Sequence, residues 1–350
     1  MTKTRLGNGS PVSDEQVKLW KRLMRAERGD YRAFGLVNTR RMFESALREK
    51  YAIPGYNFFN LEQMRGIMQG CVDTNSPVIL QVLQRNLDNS NLSCLPNMVK
   101  GMLASIGRVA RSTPVALHLD HGTSYETCRK CVDAGFSSIM IDGSRLPYEE
   151  NIKLTRKVAD YAREHDVSVE GELGGIAGIT ERVTPEQMYT KPAEVEEFIK
   201  DTRIDSLAIS IGTAHGPFKS RSEHTPPELR LDILDEIKER VGDFPLVLHG
   251  ASNVPKQYVE ILRRYGGQME GAVGIGDDQL QAAIKRGIRK ANFDTDIKLI
   301  FTAVARQFLA ENPKEFDPKG YLDIVEARLR EYVMNRNGIL SSINKGSHCT

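Results

Sequence analysis

At 350 residues with 40% hydrophobic content, the chain is long enough to bury a substantial core, as one large domain or two small ones. Its 48 lysines and arginines stand against 46 acidic residues, and a net charge of +2 provides no long-range field of the kind that draws proteins to nucleic acid or anionic membranes. Neither partner is expected, and an anionic ligand has to be caught by local groups.

Residues 1–34 read as an N-terminal extension with helical character, in which Ser13 caps SDEQVKLWKRLMRAE. From residue 51 onward, short apolar runs rich in β-branched residues alternate with longer amphipathic segments. That is the rhythm of a parallel sheet wrapped by helices. The runs are YAIPGYNF (51–58), PVILQV (77–82), VALHLD (115–120), SSIMIDG (137–143), SVEGELG (168–174), SLAISIG (206–212), PLVLHG (245–250) and RKANFD (289–294). Helices are predicted at 61–74, 94–110, 124–134, 148–165, 193–202, 228–240, 255–265, 277–287 and 297–312. Eight βα units in this span predict an α/β fold of the TIM (β/α)8 type over residues 35–335, since a doubly wound sheet more often stops at five or six strands. Residues 336–350, rich in Ser, Asn and Gly, read as a flexible tail.

The five cysteines (Cys71, Cys94, Cys128, Cys131, Cys349) are scattered and odd in number, which fits free thiols in a reducing cytosol. Cys128 and Cys131 have the spacing of half a zinc or redox motif, but they fall in a predicted helix and no second pair exists, so they read as structural thiols. No apolar run follows the N-terminal charges and none approaches the ~20 residues that span a bilayer. The expected location is cytoplasmic.

In a barrel of this type the chemistry lies at the C-terminal ends of the strands, so the polar residues closing each run are the ones to weigh. Run three ends in Asp120-His121-Gly122, run six leads to His215-Gly216 and run seven ends in His249-Gly250. Each histidine alone reads as a packed or capping residue. Together, from three strand ends, the imidazoles can converge on one ion with an open fourth position, the pattern of a catalytic zinc. The glycines that follow permit close backbone approach. His118 is expected to alternate to the other side of its strand from His121. Asp120 reads either as a general acid-base group or as the carboxylate that orients His121. Asp142, Glu170 and Glu172 point to the same rim. Small and polar residues in GTAHGPFK (212–219), HGASNVP (249–255) and NFDTD (292–296) suggest phosphate capture by backbone amides. GAVGIGDDQ lacks both the spacing and the preceding strand of a dinucleotide site.

The ordered motifs HLDHGTSYETC, AGFSSIMIDGS, VEGELG, AISIGTAHG, LVLHGAS and NFDTD resemble those of class II fructose-bisphosphate aldolases across roughly residues 35–335. The resemblance implies a homo-oligomer, dimer or tetramer, that cleaves fructose 1,6-bisphosphate through an enediolate. It implies zinc held by His121, His215 and His249, with Asp142 and Glu170 as an alternative or second metal position, and Asp120 handling the C4 hydroxyl proton. Gly216, Gly250, Ser252, Asp294 and Thr295 would hold a phosphate, some beside a monovalent cation, while Asn57 and Asn292 would contact the triose. Three positions depart from the family pattern. A serine after strand two is replaced by Leu83. The mobile-loop glutamate aligns with Thr180, leaving the adjacent Glu181 to serve as the catalytic acid. The arginine that meets the distal phosphate is replaced by Lys298, which binds as a point charge rather than a fork. These departures keep two alternatives open: an aldolase for tagatose 1,6-bisphosphate or another phosphorylated ketose, and a metal-binding barrel without catalysis.

Overall fold

The computed structural model describes residues 29–87, 92–106, 113–175, 189–218 and 227–348. Eight parallel strands close into a barrel in sequence order: β1 (Ile53–Asn57), β2 (Val78–Leu83), β3 (Val115–Gly122), β4 (Ser138–Ile141), β5 (Ser168–Leu173), β6 (Ser206–Ile209), β7 (Leu246–Leu248) and β8 (Ile288–Phe293). The predicted TIM barrel is therefore the fold. Each predicted run contains its strand or misses it by one or two residues, because a strand buried on both faces is written as a continuous apolar stretch.

Helix α1 (Arg40–Glu49) precedes the first strand. The helices between strands are α2 (Leu61–Asp73), α3 (Cys94–Ile106), α4 (Tyr125–Ala134), α5 (Tyr148–Glu164), α6 (Pro192–Thr202), α7 (Leu231–Val241), α8 (Lys256–Arg264) and α9 (Asp277–Lys285). After β8 come α10 (Thr295–Glu311) and α11 (Pro318–Ile339). Side-chain oxygens of Asn60 and Ser124 accept from the third residue onward and start α2 and α4 sharply. The main apolar core fills the space between the outer faces of the strands and the helices.

Inside the barrel a second, smaller core closes the floor. Met42, Phe43 and Ala46 of α1 pack with Tyr51 against Ile53, Ile79, Ala116, Met140, Ala208 and Val247, one inward residue from each of six strands. Because inward positions recur every second residue, the next inward positions above this floor include Gln81, His118 and His249, all essentially fully buried. The apolar floor thus carries a polar interior directly beneath the mouth.

Helix α11 was not foreseen, and the expected flexible tail 336–350 needs correction. Residues 336–339 complete α11, Leu340 and Ser342 are fully buried, and Asn344 and Gly346 donate backbone hydrogen bonds to the carbonyls of Thr74 and Asn75. The segment is tied down because α11 docks on α2 at two glycines one turn apart. A Cβ on Gly66 would lie 2.9 Å from Leu329 Cβ, and one on Gly70 would lie 2.8 Å from Val333 Cβ. Of the expected N-terminal extension, residues 1–28 lie outside the described part of the chain, while Tyr31 and Phe34 are buried in the main core.

Candidate active site

The three histidines meet at the C-terminal mouth of the barrel, where one ring nitrogen from each of His121, His215 and His249 lies within 4.8 Å of the others. His249 arrives on the expected face of β7. His121 does not: by simple alternation it would point away from Asp120. Two local irregularities bring it inward, a register shift between β3 and β4 across Leu119 and Gly122, and a left-handed backbone at His121 with φ +52°. Gly122 makes the shift possible, since a Cβ there would stand 2.6 Å from the Met140 carbonyl oxygen. Gly250, at φ +62°, similarly allows its backbone to approach the Ala214 carbonyl, which a Cβ would meet at 2.6 Å.

Asp120 is buried beside the histidines. Its Oδ2 accepts from Asn57 Nδ2 at 2.7 Å, while its Oδ1 is buried without a hydrogen-bond partner. Burial opposes the charge, but His121, His249 and Lys290 outweigh it and hold the carboxyl down to about 2. Asn57, expected at the triose, spends its amide on Asp120 and its carbonyl on Gln81 Nε2 at 3.1 Å. It therefore orients Asp120. Both side-chain polar atoms of Asn292 are buried without partners and remain available to a ligand.

The carboxylates divide differently from expectation. Glu170 does not join the metal-ligating group: its Oε1 faces His249 Nε2 at 2.8 Å and its Oε2 accepts from Lys290 Nζ at 2.7 Å, so both oxygens are engaged. The residue that gathers with His121 and Asp142 is Glu172, two positions further along β5 and one level higher. Asp142 Oδ2 lies 2.9 Å from His121 Nδ1, where it orients the ring, and its Oδ1 accepts from the Ser144 hydroxyl. Burial disfavours charge on His121, yet Asp120, Asp142 and Glu172 raise it to about 10. Burial first, and then Asp142, drives Glu172 well above the usual carboxylate range.

His118 and Lys290 are the functional neighbours that sequence reasoning missed. His118 faces the barrel interior on the same side as Asp120, contrary to its expected exclusion, and touches Ser138 Oγ at 2.8 Å and Lys290 Nζ at 3.4 Å. Burial and the Lys290 charge push its imidazole down to about 3.

The expected phosphate residues line the same cleft: Gly216, Gly250, Ser252, Asp294 and Thr295, together with Leu83. Thr295 opens α10, a helix N-terminus whose free amides suit an anion. Lys298 pairs with Asp294 and sits over the Phe59 ring. Thr180 and Glu181 lie outside the described residues. A larger cavity lies elsewhere, between α8, α10 and α11 on the outside of the barrel, and carries none of these groups.

Fit to a divalent cation rests on this donor set. His249 Nδ1 and His121 Nε2 are 2.9 Å apart, near the separation of ~3.4 Å that two nitrogens adopt on one tetrahedral zinc at 2.0–2.1 Å. Unpartnered oxygens of Asp120 and Glu172 stand next to them.

Fold and site together define a parallel (β/α)8 barrel with a three-histidine cluster at the strand ends. The profile of class-II fructose-bisphosphate aldolases matches residues 37–345, and the chain belongs to that family of carbon–carbon lyases. A fructose-bisphosphate aldolase of Treponema pallidum (strain Nichols) is 48% identical over 319 residues, 88% of this chain and 96% of the relative. One from Giardia intestinalis is 38% identical, over 82% of this chain and 87% of its own. Among solved structures, the YdjI aldolase of Escherichia coli K12 superposes with a TM-score of 0.69 at 27% identity, covering 88% of this chain and 98% of that one.

Proposed function

We propose that the chain is a zinc-dependent aldolase that reversibly cleaves fructose 1,6-bisphosphate to dihydroxyacetone phosphate and glyceraldehyde 3-phosphate in the cytoplasm, as a homo-oligomer. The observation that carries the reading is the Oδ1 of Asp120, buried without a hydrogen-bond partner beside three converging imidazoles. His121, His215 and His249 hold the zinc. When bound, zinc supplies Lewis-acid stabilisation of the negative charge that substrate oxygens gain as the carbon–carbon bond breaks, on the order of several kcal/mol.

The protein's own groups do the rest. Asp120, ionised and fixed by Asn57, takes the C4 hydroxyl proton in the cleavage direction and returns it in condensation. Asn292 contacts the triose with its unpartnered amide. Gly216, Gly250, Ser252 and the start of α10 at Thr295 bind one phosphate through amides and hydroxyls, and Lys298 meets the distal one. Glu181 is the acid that exchanges the triose carbon proton. Free thiols at Cys71, Cys94, Cys128 and Cys131 fit a reducing compartment. Exposed Phe316, Leu309 and Ile324 on and between the outer helices support association with further copies.

Coupled measurement of triose phosphate release, with chelator and then restored zinc, tests this reading. Chelator-sensitive, zinc-restored cleavage is expected, and cleavage indifferent to chelator overturns the metal assignment. Leu83, apolar at the mouth, favours a second reading in which tagatose 1,6-bisphosphate or another phosphorylated ketose is preferred. A higher kcat/KM for fructose 1,6-bisphosphate rejects it.

A further inference from the structure

We infer that Lys290, acting through Glu170, is a positioning residue that fixes which nitrogen of His249 is free to bind metal. The inference rests on the proposed zinc site. It concerns residues that touch neither substrate nor, in the case of Lys290, any of the three histidines at the mouth.

Lys290 and Glu170 are both completely buried, and their charged ends lie 2.7 Å apart in the polar layer above the barrel floor. An ammonium group has donors only, and a carboxylate has acceptors only. With Lys290 Nζ donating to Glu170 Oε2, the other oxygen, Oε1, can accept only from its remaining neighbour, His249 Nε2 at 2.8 Å. His249 must then carry its proton on Nε2, which leaves the lone pair on Nδ1. That nitrogen faces His121 Nε2 at 2.9 Å, inside the cluster.

The same cation sets the tautomer below it. His118 Nε2, 3.4 Å from Lys290 Nζ, can only accept, so its proton sits on Nδ1 and is donated to Ser138 Oγ at 2.8 Å. One buried ammonium thus propagates a single proton arrangement from Ser138 to the mouth. Lys290 lies on β8, Glu170 on β5 and His249 immediately after β7, so the device spans the barrel rather than following one strand.

Removing one member of a buried ion pair leaves the other uncompensated, whereas removing both charges is often tolerated. The informative variant is therefore the double E170Q/K290M, whose carboxamide can present either end to His249. Its zinc affinity, measured by competition with a chromophoric chelator, should fall roughly 10–100-fold, the usual cost of losing a partner behind a metal ligand. The visible spectrum of the cobalt-loaded form should change in parallel. A second measurement needs no variant: nitrogen NMR of histidine-labelled full-length protein, with and without zinc, should find the His249 proton on Nε2.

A double variant that melts near the wild-type temperature and binds zinc as tightly as wild type overturns the inference, as does a wild-type His249 protonated on Nδ1. Failure of the wild-type chain to bind zinc would instead defeat the metal reading itself.

Discussion

Replacing Asp120 by asparagine removes a charge while keeping the shape, and the neighbours dictate how the new group sits. Asn57 Nδ2 donates to Oδ2 at 2.7 Å and its own carbonyl is occupied by Gln81, so Asn57 continues to need an acceptor from residue 120. The introduced amide must turn its oxygen toward Asn57 and its NH2 toward the mouth. A donor then stands where the proton-accepting Oδ1 stood. Loss of general acid-base help of this kind costs about 10²- to 10⁴-fold in kcat, or ~3–5 kcal/mol on the barrier. The KM should move only a few-fold, because the residues proposed to bind phosphate follow β6, β7 and β8. Zinc stoichiometry at saturating metal should be unchanged, since the three histidines are untouched. Initial rates of triose phosphate release, zinc content and melting temperature on one preparation decide the matter. A folded, zinc-loaded D120N enzyme with kcat within about threefold of wild type would refute the assignment, and parallel loss of zinc would make Asp120 part of the metal site instead.

His215→Ala should lose both bound zinc and activity, read as metal content after dialysis; full activity without zinc would be the contrary result. Burial and the Lys290 charge hold His118 neutral down to about 3 against a usual 6.5, so the unfolded chain binds the extra proton between those values. The corresponding stability is intact above pH 6.5 and is lost as the pH falls, by up to ~1.4 kcal/mol per pH unit. Urea unfolding at pH 7 and pH 5 should show a larger loss for wild type than for His118→Gln, and equal losses would contradict it. Gly70→Ala places a Cβ 2.8 Å from Val333 Cβ and 2.9 Å from the Arg330 carbonyl oxygen, so α11 must shift off α2. The expected destabilisation is ~1–3 kcal/mol by urea unfolding, with kcat nearly unchanged.

Much of the barrel was legible because a strand buried on both faces is a local signal: β2, β3 and β5 can be read from their own residues. Helix α11 was not, although its docking site was in view as Gly66 and Gly70 one turn apart in MRGIMQG. Those glycines have meaning only once a second helix is known to lie across them. The histidine cluster was legible for the same reason as the strands, since each imidazole follows its own apolar run. Its geometry was not, because His121 reaches the mouth through a left-handed residue and a register shift that alternation does not foresee.

The exchange of Glu170 for Glu172 shows where alternation runs out. It puts the two on one face of β5, as it puts His118 and Asp120 on one face of β3, but it is silent on height. Two residues along a strand are about 6.6 Å, enough to separate a carboxylate that ends on Lys290 from one that ends beside Asp142. Height is decided across the barrel by charge. A lysine pointing inward from β8 with no path to water requires an anion at its own level, and Glu170 is the acidic residue whose oxygen meets it there. Once Glu170 is committed downward and sideways, to Lys290 and to His249, the rim carboxylate has to come from the next inward position of the same strand. Glu172 occupies it, with one oxygen that has no hydrogen-bond partner 3.7 Å from His121 Nδ1.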